Sequence, residues 1–256
     1  MMKEAMKFAA AVAVVAAGAT LAQPANAVLM VTMQDELGAT FHCVDNGGAC
    51  DFTGAANNLL TLNNTVGNFQ VAGTISTSSS GLLNLLSLVN FGAVNTDTVA
   101  HTLNMYVSDT DFVGPVTGIA ESASILFSNA VGSGPSSLDF WADVGNTQGA
   151  NLINTPGVLL ASVVQTPTTN PQSFSGNDFT PFIASGLFSM TQAAHINLIG
   201  GGRFTDFSQN MQSSFSAVPV PAALPMLGGV VAGFGAFGAW KRRRKIGSGG
   251  STASHA

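Results

Sequence analysis

The chain has 256 residues, with Lys+Arg 8 and Asp+Glu 13, a formal net charge of -5 and two cysteines. The charge is unevenly placed: between residues 28 and 217 one base, Arg203, stands against twelve acids, a net of -11. A body of that sign repels phosphate backbones and anionic membrane surfaces, which excludes nucleic-acid binding.

The N-terminus has the three parts of a secretory address. Met1 to Lys7 is weakly basic, Phe8 to Leu21 is an apolar stretch of 14 residues, and Ala25-Asn26-Ala27 is the small-x-small pattern cut by signal peptidase. As a helix the apolar stretch rises about 21 Å, short of the roughly 30 Å hydrocarbon core, so residues 1–27 are expected to be removed rather than retained as an anchor. Val28 is the expected mature N-terminus.

Cys43 and Cys50 occur in "HCVDNGGACD". An exported chain meets oxidising conditions, and Asp45-Asn46-Gly47-Gly48 is a tight-turn sequence, so the two cysteines are expected to pair as a disulfide across a hairpin. A metal site from His42, Cys43, Cys50 and Asp51 is the competing reading. Its six-residue gap between cysteines is wider than the two to four usual within a zinc-binding pair. No metal is assigned.

From Val28 to Ala217 the sequence predicts one all-β domain, a β-sandwich or jelly roll, because short alternating runs recur between Gly, Pro, Asn, Ser and Thr punctuation. Phe69, Val71 and Ile75 alternate with Asn68, Gln70 and Thr74. Leu103, Met105 and Val107 alternate with Thr102, Asn104, Tyr106 and Ser108. Further strands are expected at 124–127, 138–143, 158–164, 182–190, 195–199 and 211–217, with turns at 132–135 and 166–171. Leu82 to Phe91 fits either a short helix or a buried strand. Asp109-Thr110-Asp111 reads as a solvated turn at a strand end, with weak calcium binding as the alternative.

Nothing in the sequence selects a catalytic site. His42, His101 and His195 are scattered, no zinc-protease, nucleophile-elbow or phosphate-loop motif occurs, and Gly200-Gly201-Gly202 before Arg203 reads as a turn. Glu121 with an aspartate would suffice chemically for glycoside hydrolysis, but no partner is singled out. The chain is therefore expected to be non-enzymatic and without a cofactor. Tyr106 and Trp141 are candidate stacking platforms for sugars. In "LDFWADV" either Phe140 or Trp141 could be the residue that points inward.

At the C-terminus, Ala222 to Trp240 is 19 residues without a charge, about 28 Å of helix, followed at once by Lys241, Arg242, Arg243, Arg244 and Lys245. It is expected to span the membrane with the basic cluster cytoplasmic and the body on the far side. Gly229-x-x-x-Gly233 would allow a second helix to approach closely. Pro219 and Pro221 keep the preceding residues extended.

Val218-Pro219-Val220-Pro221-Ala222, the apolar span and the basic cluster together resemble the PEP-CTERM sorting signal in its Val-Pro-Leu-Pro-Ala variant. Val220 replaces the usual Leu, and residues 246–256 extend past the cluster as a tail expected to be disordered. The resemblance implies export by a Gram-negative bacterium that makes exopolysaccharide, with exosortase cutting near the Pro-containing motif. It covers residues 218–245 and is silent on the body. The chain thus reads as a signal peptide, an exported β domain and a sorting signal, belonging to a cell-surface or matrix protein linked to exopolysaccharide or biofilm. The alternative is a secreted carbohydrate-binding module, calcium-assisted if Asp109 and Asp111 hold the ion. A glycan-acting hydrolase ranks below both.

Overall fold

The computed structural model describes residues 28–45, 50–51, 58–80 and 83–215. The cleavage site at Ala25 and Ala27, the motif Val218 to Ala222, the apolar span and the basic cluster Lys241 to Lys245 lie outside the described residues. Alternating apolar and polar residues make twelve strands among those described. In chain order they are β1 (Met30–Asp35), β2 (Thr40–Val44), β3 (Leu59–Val66), β4 (Phe69–Ser80), β5 (Leu83–Asn95), β6 (His101–Val113), β7 (Val116–Ser128), β8 (Ser136–Asp143), β9 (Val158–Gln165), β10 (Gln172–Ala184), β11 (Leu187–Leu198) and β12 (Arg203–Phe215). One helical turn, α1 (Gly149–Leu152), lies between β8 and β9.

The strands form two antiparallel six-stranded sheets. Sheet I has the order β2-β1-β6-β11-β8-β9, and sheet II the order β10-β7-β12-β5-β4-β3. This is the all-β sandwich that the alternation predicts. From β5 onward every connection except β8 to β9 crosses between the sheets, so neighbours in sequence mostly occupy opposite layers. The inner faces are apolar because each strand sends every second side chain inward. Leu103, Met105 and Val107 of β6 and Ile119, Ala123, Ile125 and Phe127 of β7 are all buried. Eight phenylalanines are fully enclosed, and Phe91, Phe204 and Phe207 form a mutual cluster with ring centroids 5.7 to 6.3 Å apart. Such offset and edge-on rings contribute about 0.5–1.5 kcal/mol per pair beyond the area they bury.

Several expectations change in three dimensions. Of the two readings left open for Leu82 to Phe91, the buried strand is the one found: from Leu83 the run belongs to β5, held between β4 and β12 in the interior of sheet II. Residues 182–190 are not one strand but the end of β10 and the start of β11, joined at Ser185-Gly186. Phe182 and Ala184 fill the core from one sheet and Phe188 and Met190 from the other, so the alternation runs unbroken through the turn. Asp109 and Asp111 are not in a solvated turn. Both lie within β6, where the register against β11 shifts between Phe188 and Met190, and Asp109 is fully buried while Asp111 adopts φ 63°.

Cys43 and Cys50 form the expected disulfide. Cys43 pairs with Val31 of β1, and Cys50 is outside any strand, so the bond ties β2 to the segment that follows rather than stapling two paired strands. His42 Nδ1 is 2.7 Å from Thr32 Oγ1.

Candidate functional site

Two adjacent irregularities bend sheet II. β4 and β5 lose register between Ala72 and Thr74, and β12 loses register against β5 between Phe204 and Phe207. The extra residues, Asn90 and Asp206, adopt φ 52° and 51°, the left-handed region that Asn and Asp tolerate better than other side chains. A bulge leaves one residue unpaired and bends its strand. Side by side, the two make the outer face of the sheet concave.

The resulting groove holds about 640 Å³, within the range of small-molecule and oligomer sites. Its floor is narrow-bodied: Ala72 pairs with Gly92 across the ladder, and a Cβ at Gly92 would stand 3.1 Å from Phe204 O. Its walls carry Asn63, Gln70, Asn90, Thr205 and Asp206, all exposed. Among the described residues the side chains of Asn63, Gln70 and Asn90 make no hydrogen bond to protein, and Thr205 makes only a long one, 3.5 Å, to Asp206 Oδ2. Arg203, the sole base of the body, is exposed on this same face, across the ladder from Val94 at one end of the groove. Phe91 and Phe204 underlie the floor but are fully buried, so the groove presents hydrogen-bonding groups and no exposed aromatic ring.

The outer face of sheet I is also polar, and many of its groups pair with one another, although the buried Trp141 Nε1 and Thr191 Oγ1 have no hydrogen-bond partner. One rung across the sheet runs His42, Thr32, Tyr106, Ala193, Asp139 and Ser162. Ser162 Oγ donates to Asp139 Oδ1 at 2.5 Å, His195 Nδ1 is 2.7 Å from Asn104 Oδ1, and Asn197 Nδ2 donates to Thr102 Oγ1 at 3.1 Å. The turn around α1 covers part of the face, with Ala150 N donating to Ser108 Oγ. Phe140 points inward and Trp141 outward, so Tyr106 and Trp141 do share one face. Both are half-buried, and Tyr106 lies edge-on to His195 at 5.7 Å. Burial, with the Asp139 charge adding, raises the Tyr106 hydroxyl above its usual range. The two aromatics are therefore parts of a closed surface, on the opposite layer from the groove.

Two carboxylates are buried between the sheets. Asp109 accepts from Thr110 N at 2.8 Å through Oδ1, while Oδ2 has no partner, and burial pushes its carboxyl up to about 7. Glu121, on the inner face of β7, has no hydrogen-bond partner at either oxygen; burial, then the nearby Asp178 charge, pushes it up to about 7. Asp178 stands directly opposite it on β10. The space they line is about 100 Å³, too small for a sugar ring in a hydrolase cleft.

No family model matches the chain, and no curated protein matches it. Among solved structures, similarity extends to the K1 cleaved adhesin domain of Lys-gingipain from Porphyromonas gingivalis, at 7% identity and TM-score 0.33, covering 63% of this chain and 92% of that one. A carbohydrate-binding module in complex with β-1,4-galactotriose aligns at 10% identity and TM-score 0.30, over 56% of this chain and 88% of that one. The carbohydrate-binding module CBM36, in complex with calcium and xylotriose, aligns at 16% identity and TM-score 0.26, over 44% of this chain and 79% of that one. Overlap of this extent carries no argument about the ligand. The class defined by the molecule's own architecture is an antiparallel β-sandwich with a polar groove on one outer face.

Proposed function

We propose that this chain is an exported, non-catalytic β-sandwich that holds a neutral polysaccharide strand in the groove of sheet II. The carrying observation is the row of unpartnered amides, Asn63, Gln70 and Asn90, with Asp206 and Arg203, around a floor of Ala72 and Gly92. Each amide offers a donor and an acceptor from one planar group, which suits neighbouring sugar hydroxyls. The floor admits a ring without displacing a side chain. The net charge of -11 between residues 28 and 217 disfavours a polyanionic polymer.

Delivery belongs to the same reading. The PEP-CTERM-like tail would arrest the chain in the inner membrane until exosortase cuts near Val218 to Ala222 and passes the body to the cell surface or matrix. The disulfide supports an oxidising destination. Intact mass of the recovered protein, with and without exosortase, checks this: a C-terminus still at Ala256 in both strains defeats it.

Affinity electrophoresis of the chain through gels containing the host exopolysaccharide or plain neutral glucans, galactans and xylans tests the groove. Ala72→Trp fills the floor from an exposed position and should weaken retardation at least tenfold while leaving the melting temperature within about 2 °C, as surface changes do. Retardation by none of these polymers, or full retention in Ala72→Trp, would refute the reading.

A further inference from the structure

Glu121 and Asp178 lie away from the groove, at the seam where edge strands β9 and β10 approach each other. Glu121 has only 2% of its surface exposed, and neither oxygen has a hydrogen-bond partner. Its ladder neighbours are the buried Met211 on β12 and Asp178 on β10. Like charges directly opposite in an antiparallel pair destabilise it. From the facing sheet Phe140, Ala161 and Val163 reach the same cavity, none of which offers a charge. The body contains one base, Arg203, and it pairs with Ser128, seven residues along β7 from Glu121, roughly 23 Å away at strand rise. Among the described residues no Lys or Arg is within reach.

We infer that this seam is a calcium site, in which Glu121 and Asp178 bind a divalent ion between β7 and β10 against the edge of β9. The cavity of about 100 Å³ has room for one ion with two or three waters, each needing about 30 Å³. Hard cations take six to eight oxygens in adaptable geometry. Among the described residues no three His, Cys, Asp or Glu side chains converge, so Glu121 and Asp178 supply the charged oxygens. Ser162 and Asn177 border the cavity but lie opposite Asp139 and Ser122, with their side chains on the outer faces, so two bidentate carboxylates and two or three waters make up the roughly six or seven oxygens. Calcium fits better than magnesium, which keeps its own waters and demands near-octahedral order. With two charged ligands, a dissociation constant of about 0.1–1 mM is expected, the range of extracellular modules. Thr180 Oγ1 already donates to Leu160 O across this seam at 3.1 Å, and an ion would add a further tie at that edge.

The test is thermal unfolding of the full chain in detergent at pH 7.5, stripped of metal and then titrated with CaCl₂ or MgCl₂ to 10 mM. Calcium should raise the midpoint by roughly 3–10 °C, and magnesium by less. Glu121→Gln should abolish the shift, and Asp178→Asn should weaken calcium binding at least tenfold. Asp109→Asn, elsewhere in the core, should leave it intact. Because Asp178 is exposed, its variant gives the same readout if Glu121→Gln does not fold. No calcium shift in the parent chain, or an equal shift in the parent and in either seam variant, would overturn the inference. So would a calcium-insensitive parent that Glu121→Gln stabilises, since a proton would then be what neutralises the pair.

Discussion

The two sheets are joined through their core by amides as well as rings, and this gives the sharpest stability prediction. Gln192 on β11 and Gln209 on β12 are fully buried. Gln192 Nε2 donates to Leu86 O and to Gln209 O, each at 3.0 Å, while Gln209 Nε2 donates to Asp139 O at 3.2 Å. All three bonds cross from one layer to the other. Gln192→Leu keeps a similar volume but removes both of its donors and strands two buried carbonyls. Each lost bond costs about 1 kcal/mol net, and a stranded acceptor adds about 1–3 kcal/mol. Against that, the substitution removes Gln192 Oε1, a buried atom that has no partner, which returns about 1 kcal/mol. The balance is a loss of about 3–7 kcal/mol, or roughly 6–28 °C in melting temperature for a body of this size. Gln209→Leu removes one longer bond and strands Asp139 O but also removes the unpartnered Gln209 Oε1, and should cost about 1–3 kcal/mol. Denaturant unfolding of the three chains measures both values. A Gln192→Leu chain as stable as the parent, or more stable, would refute the view that satisfied cross-layer carbonyls outweigh an apolar core at this point.

Two further predictions concern pH. His101 is buried with Nδ1 2.8 Å from Glu36 Oε1 and Nε2 2.8 Å from Asp97 Oδ2; the bond to Asp97, then that to Glu36, raises its pKa above the ordinary 6.5. A raised histidine contributes stability that is full below 6.5 and is lost as pH climbs through the folded value. Asp97, lowered from 3.8 chiefly by His101, contributes in the opposite sense, fully above 3.8 and fading in acid. His101→Gln should therefore be most damaging between about pH 4 and 6.5 and progressively less so toward pH 9; a gap from the parent that stays level in melts across that range would contradict the pairing. Asp109 works the other way, since a carboxyl raised to about 7 destabilises the fold increasingly as pH rises from 3.8 through 7. Asp109→Asn keeps the Oδ1 acceptor for Thr110 and should gain up to about 4 kcal/mol on the parent between pH 4 and 8.5. No relative gain over that interval would mean that Asp109 is not buried as a charge.

The groove shows where sequence reading stops. Asn90-Phe91-Gly92 and Thr205-Asp206-Phe207 each carry a residue suited to positive φ inside a strand pattern, which is a local signal for a bulge. That the two bulges lie side by side depends on β5 pairing with β12, more than a hundred residues apart. The aromatics singled out as sugar platforms, Tyr106 and Trp141, share a face for a similar reason: β6 and β8 both flank β11. Their neighbours there, Asn104, His195 and Asp139, close the surface that the sequence alone would leave open.

Period-two alternation in β4, β6 and β8, the turns at 132–135 and 200–202, and the Cys43–Cys50 bond were all determined locally, because strand faces, turn geometry and a short covalent loop depend on residues near in sequence. The class of fold follows from those features alone. Tertiary structure decided which strands became neighbours, and with that every property that needs two distant segments at once. The concavity of sheet II, the amide clasp of Gln192 and Gln209, and the opposition of Glu121 to Asp178 are all of that kind. A carboxylate's burial and a bulge's neighbour are set by register between strands, and register is a sum over whole ladders that no single stretch of sequence contains.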